Sequence, residues 1–285
     1  MRTSCFVGPF RCLAAAGIVL SVAAGARANS SVELLIDKVH DTSTGFDGYS
    51  AEMNINIDPG VTVTNMQASN TGGAITLDVD GGGSNQWSAF QNYPTLAELI
   101  AELESNYTIT VQTSTGTSTM NFTVGNLGGL NTPGTFLDMP VITSPTQGQT
   151  LPTAQPTVTW TQPVPADLAR AFVLAAELDS NTVWDENFNT GVGDGTGALD
   201  LLTSTSWQSS ATLDAGPATF WVSYATTDPT LVGLILNPSN FSTTDGGGVN
   251  WGASSFAPSG YATDGTPLLG LLSTAAVGFD AVPEP

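Results

Sequence analysis

Alternation with a period of two runs through most of this sequence, and it restricts the chain to β-structure. In A-E-M-N-I-N-I-D-P-G (51–60), Met53, Ile55 and Ile57 fall on one side and Asn54 and Asn56 on the other. That pattern predicts a strand with one buried and one wet face. S-V-E-L-L-I-D-K-V (31–39) opens the series, and V-T-V-T-N-M and A-I-T-L-D-V-D continue it. Y-T-I-T-V-Q-T, S-T-G-T and S-T-M-N-F-T-V (107–124) predict a hairpin with Tyr107, Ile109 and Val111 opposite Met120, Phe122 and Val124.

One segment has a different period. In P-T-L-A-E-L-I-A-E-L-E (94–104), Leu96, Leu99, Ile100 and Leu103 recur at helical spacing, and Glu98, Glu102 and Glu104 lie off that stripe. Pro94 suits the first turn. An amphipathic helix over about 94–104 is expected, its apolar stripe docked across an open end of the strands.

A stretch rich in Gly, Asn and Pro (126–139) reads as a linker between an N-terminal β-sandwich (29–125) and a second one (140–281). A-F-V-L-A-A-E-L-D (171–179) alternates well enough to predict a hairpin with N-T-V-W-D-E-N-F beyond it. S-W-Q-S-S-A-T-L and A-T-F-W-V-S-Y-A predict further strands, whereas 226–267 has no periodicity that places one. The predicted fold class is all-β: two sandwich domains with one helix in the first. With 41% apolar residues, and 31 glycines and 17 prolines in 285 residues, the composition suits a folded core.

The N-terminus predicts export. Arg2 and Arg11 supply a positive start that precedes an apolar run, C-L-A-A-A-G-I-V-L-S-V-A-A-G, which leads to the small-x-small site Ala26-Arg27-Ala28. This is the pattern of a secretory signal peptide over 1–28, too short for a spanning helix. Cleavage there leaves Asn29 as the first residue. It removes both cysteines, Cys5 and Cys12, so the exported chain is expected to contain no disulfide. It also leaves only Lys38 and Arg170 against all 25 carboxylates, a net charge of −23. So acidic a surface favours solubility and tolerance of salt, and it excludes nucleic-acid partners, which are held by Lys and Arg on phosphates.

Two resemblances bear on the second half. P-V-I-T-S-P-T-Q-G, P-T-V-T-W with Trp160, and T-L-D-A-G-P-A-T-F-W-V-S-Y-A with Trp221 and Tyr224 resemble fibronectin-type-III-like and bacterial immunoglobulin-like modules. The resemblance covers about 140–225 and implies a sandwich in which the early Trp packs between sheets. It says little about a ligand. Val282-Pro283-Glu284-Pro285 resembles the opening of the PEP-CTERM sorting signal of exported bacterial proteins. The resemblance implies processing by an exosortase-type transpeptidase. In that family a transmembrane helix and an Arg cluster follow; neither follows Pro285, so the chain as it stands is expected to be released.

Constellations for catalysis are sparse. His40 is the chain's single histidine, which leaves no second imidazole for a triad or a His-rich metal site. Its surroundings, K-V-H-D-T, predict a strand end, and no enzymatic activity is expected. D-G-G-G-S-N-Q-W (80–87) recurs as D-G-G-G-V-N-W (245–251). As a functional motif, these turns would present Asn85 and Trp87, or Asn250 and Trp251, for sugar stacking. As structure, they are Gly-rich turns before strands whose Trp enters the core, and that reading is favoured. No cofactor is required. Oxygen donors that would suit Ca²⁺ are Asp80 and the acidic loop carrying Asp185, Asp194 and Asp200, with a solvated loop as the favoured reading. The expected role is that of a structural or adhesive protein of the cell envelope or exopolysaccharide matrix. A carbohydrate-binding module is the alternative, and a glycan-cleaving enzyme a lower one.

Overall fold

The computed structural model describes residues 30–79, 85–161, 171–180, 184–190, 205–210, 212–226, 242–244, 246–252 and 268–282. In the first half the strands are β1 (Ser31–Asp41), β2 (Phe46–Asn56), β3 (Val63–Asn70), β4 (Gly73–Ile75), β5 (Asp78–Val79), β6 (Gln86–Tyr93), β7 (Ser105–Thr113) and β8 (Gly116–Val124). The helix α1 (Leu96–Leu103) lies between β6 and β7. Next come β9 (Val141–Ser144), β10 (Gln149–Leu151), β11 (Thr157–Thr161), β12 (Ala171–Ser180) and β13 (Trp184–Thr190). The remaining strands are β14 (Ser206–Gln208), β15 (Gly216–Thr226), β16 (Ser242–Thr244) and β17 (Leu268–Ala281).

The fold is all-β and layered, as the alternation predicts, but its two halves are joined more closely than a linker would join them. One sheet runs β13-β12-β15-β17-β1-β2-β6-β5, with β10 beside the end of β17. Two smaller sheets, β16-β8-β7-β3-β4 and β14-β11-β9, complete the layers. Side chains two apart on a strand share a face. On β17, Leu269 and Leu271 enter a core with β7 and β8, whereas Val277, Phe279 and Ala281 enter another with β11 and β14. All five are odd-numbered, so both small sheets cover the same face of the large one. Between the cores, Ser273 Oγ donates to the carbonyl of Leu137 (2.7 Å). That carbonyl belongs to the segment expected as a linker; its Leu127 and Leu130 pack in the first core and Leu137 in the second.

Residues 242–252, grouped by sequence with the second half, pair with the first. β16 runs antiparallel to β8, and Val249 and Trp251 sit in the first core. The hairpin of β7 and β8 turns tightly at Ser114 and Thr115, setting Tyr107 opposite Phe122 and Ile109 opposite Met120. Val111 faces Ser118, not an apolar residue. The 171–179 hairpin forms as well, Val173 to Asp179 pairing with Thr190 to Trp184.

The helix starts two residues beyond Pro94, so that proline precedes the cap and does not open the first turn. Thr95 is the N-cap: its Oγ1 accepts from the Glu98 N–H (3.2 Å), and its own N–H donates to Glu98 Oε2 (3.1 Å). The stripe docks as expected, with Leu99 and Leu103 buried in the first core.

β2 departs from its expected one-sided wetting. Met53, Ile55 and Ile57 are buried, but so are Ser50, Glu52 and Asn54 on the opposite face. β2 is an interior strand of the large sheet, and a period of two distinguishes the faces without revealing that both are covered.

Candidate functional site

The two echoed tryptophans are core residues. Trp87 lies on β6 opposite Ile55, and Trp251 is bridged to Ser30; they are 9% and 6% exposed. Trp251 Nε1 donates to Ser118 Oγ (2.8 Å), which donates on to the Thr244 carbonyl (2.8 Å). Neither indole offers a face on which a sugar could stack. Asn85 is likewise engaged, its Nδ2 donating to the carbonyls of Asp58 and Val61 (2.8 and 3.0 Å).

The glycines of the second echo permit a close backbone approach. A Cβ on Gly246 would stand 2.2 Å from the Thr117 carbonyl oxygen. Gly247 has φ +62°, and a Cβ there would stand 2.2 Å from Thr113 Oγ1. This turn is therefore pressed onto the β7–β8 hairpin.

Of the candidate Ca²⁺ ligands, Asp80, Asp194 and Asp200 lie outside the described residues. Asp185 is placed on β13 opposite Leu178, with only its backbone described. Among the described residues no group of three or more His, Cys, Asp or Glu is placed to hold a metal. His40 Nδ1 lies 3.7 Å from Asp47 Oδ1, with both side chains well exposed. Val282 is half exposed and donates its N–H to the Leu151 carbonyl (2.9 Å). Pro283, Glu284 and Pro285 lie outside the described residues.

Two features not singled out by sequence remain. The first is a cleft of about 740 Å³ at the open edge of the first sandwich, between the β3–β4 hairpin, β6 and the end of α1. Leu34, Met53, Tyr93 and Tyr107 supply its buried wall. Gln91, Glu102 and Glu104 supply an exposed polar rim, on which Gln91 Nε2 donates to Glu102 Oε2 (3.3 Å). The Tyr107 hydroxyl donates to the Leu103 carbonyl (2.9 Å), fastening the helix end to the wall. Burial, and then the charge of Glu102, push the Tyr93 hydroxyl up, so that it stays protonated. Aromatic edges beside amide and carboxylate acceptors suit a neutral polyhydroxylated ligand, and the rim carboxylates repel an anion.

The second is a buried acidic strip on the large sheet, on the face turned away from both cores. Glu33 and Asp37 on β1 share it with Ser50, Glu52 and Asn54 on β2. Burial pushes the Asp37 carboxyl up to about 7 against a lowering hydrogen bond from Thr274, and among the described residues its Oδ1 has no hydrogen-bond partner. S-V-E-L-L-I-D-K carries the signal for this strip, since Glu33 and Asp37 alternate with Val32, Leu34 and Ile36. What the alternation lacks is the position of β1 in mid-sheet. No known family model matches this chain, and no curated protein is significantly similar to it.

Proposed function

We propose that this chain is an exported, non-catalytic structural or adhesive protein of the cell envelope or exopolysaccharide matrix, with PEP-CTERM-like sorting at V-P-E-P. The observation that carries the reading is the setting of that motif. β17 lies inside the large sheet, contributes to both cores, and delivers Val282 directly to the surface. A motif leaving a strand so deeply held suits attachment, because a pull on it is resisted by the whole sheet. The leader over 1–28 supports export, and an exosortase-type transpeptidase is the partner the motif implies.

Expression from Met1 in a host with that transpeptidase tests the reading. The protein is expected in the extracellular or surface fraction, with an intact mass that starts at Asn29. Cytoplasmic recovery with residues 1–28 retained would overturn it, as would release of reducing ends from matrix polysaccharide.

The cleft beside α1 favours a second reading, that of a carbohydrate-binding module. On that reading Gln91→Ala with Glu102→Ala abolishes retention on exopolysaccharide while the fold persists. Unchanged retention leaves adhesion to the rest of the surface.

A further inference from the structure

We infer that β1 and β17 form a load-bearing clamp that resists tension applied between Ser30 and Val282. The two strands run parallel, with nine residue pairs in register from Glu33↔Leu268 to Asp41↔Ala276. The chain enters β1 at Ser31 and leaves β17 at Ala281, which in a parallel pair are opposite ends. A pull on these two points therefore runs along the strands in opposing directions. The interstrand hydrogen bonds are loaded together, in shear, whereas a pull across a hairpin opens them one at a time.

Neither strand lies at an edge. β1 is held on its other side by eleven pairs to β2, and β17 by eleven pairs to β15 and three to β10. Withdrawing either strand must shear both of its flanks. The points of loading are themselves latched. The Ser30 N–H donates to the Asn250 carbonyl (2.9 Å), and the Ser30 carbonyl accepts from the Gly252 N–H (2.8 Å). At the other end the Val282 N–H donates to the Leu151 carbonyl, the Gly148 N–H donates to the Gly278 carbonyl (2.8 Å), and the Gly278 N–H donates to Gln147 Oε1 (2.9 Å). Thr42 adds a cross-tie, its N–H and Oγ1 both donating to the Ala276 carbonyl (3.1 and 2.9 Å). The chain's cysteines, at 5 and 12, both precede the first described strand, so the tension falls on these hydrogen bonds and the cores.

The clamp stands on topology alone; its use in holding a cell to a matrix rests on the function proposed above. Single-molecule pulling on the full chain tests it, with Cys5→Ser and Cys12→Ser and handles placed through Asn29→Cys and Val282→Cys. The comparison moves the second handle to Thr62→Cys, in the connection from β2 to β3, so that β1 is peeled from β2 at the end where Ser31 faces Asn56. The terminal geometry is expected to require roughly twofold higher force, because forced unfolding reports the barrier along the pulled direction. Thr42→Val is expected to lower that force while leaving the peeling force unchanged. Equal forces in the two geometries, or a lower one between the termini, would overturn the clamp. The outcome is independent of where the cell delivers the protein, so failure here is separate from failure of the export reading.

Discussion

Trp251→Ala is expected to destabilise the protein by about 3–5 kcal/mol, the range for removing a large aromatic from a packed core. The indole is buried against the first core, and its N–H begins the relay through Ser118 Oγ to the Thr244 carbonyl. That relay ties the 246–252 turn and the neighbouring β16 to β8, more than a hundred residues earlier in the chain. Trp251→Phe retains most of the apolar contact and leaves Ser118 still donating to Thr244. It is expected to cost about 1 kcal/mol for the lost hydrogen bond, plus a smaller packing term. Chemical denaturation of the two variants beside the parent chain checks the order. A stable Trp251→Ala protein that has lost affinity for polysaccharide would show instead that the indole is a ligand contact.

Asp37→Asn is expected to stabilise the protein, and to do so only towards higher pH. Burial raises the Asp37 carboxyl from an ordinary 3.8 to about 7 in the folded chain. Between those values the folded chain retains a proton that the unfolded chain has lost. Stability therefore falls as pH rises through this window and levels off above about 7. At ~1.4 kcal/mol per pKa unit the whole drop is about 4 kcal/mol. Asparagine never ionises and avoids the cost. The stability difference between variant and parent should be small near pH 4, grow between pH 4 and 7, and hold constant at pH 8. A variant less stable than the parent at pH 8 would mean that the ionised carboxylate is held by a partner worth more than its desolvation.

Local order was legible in the sequence wherever one face or one turn determined it. The partners Tyr107 with Phe122 and Ile109 with Met120 follow from period-two alternation around a short turn. The helix follows from its stripe. T-L-A-E also carried the capping box, a signal present at Thr95 and Glu98 that the stripe overshadowed. Long-range order was not legible. β17 pairs with β1 across more than two hundred residues, and no local pattern states which strands become neighbours. For the same reason Asn54, polar on an alternating strand, suggested a wet face, although its place beside Glu33 in mid-sheet buries it. The cleft beside α1 has no local signal in the sequence, because its wall and rim come from β1, β2, β6, β7 and the helix, which only the fold brings together. The second Gly-rich echo was legible as a turn; what Gly246 and Gly247 lie against became evident only from the approach of the β7–β8 hairpin.

Sharing β17 between the cores should make the two sandwiches one cooperative unit, and equilibrium unfolding read separately in each core tests that directly. Fluorine-labelled indoles provide the probes, with Trp251 reporting the first core and Trp160, which donates to the Tyr224 hydroxyl (2.8 Å), reporting the second. A single shared sheet predicts coincident transitions in denaturant, with the same midpoint and the same slope at both sites. If Trp160 loses its native signal at a denaturant concentration where Trp251 retains its own, the halves unfold independently, and the sheet that joins them is not what holds this protein together.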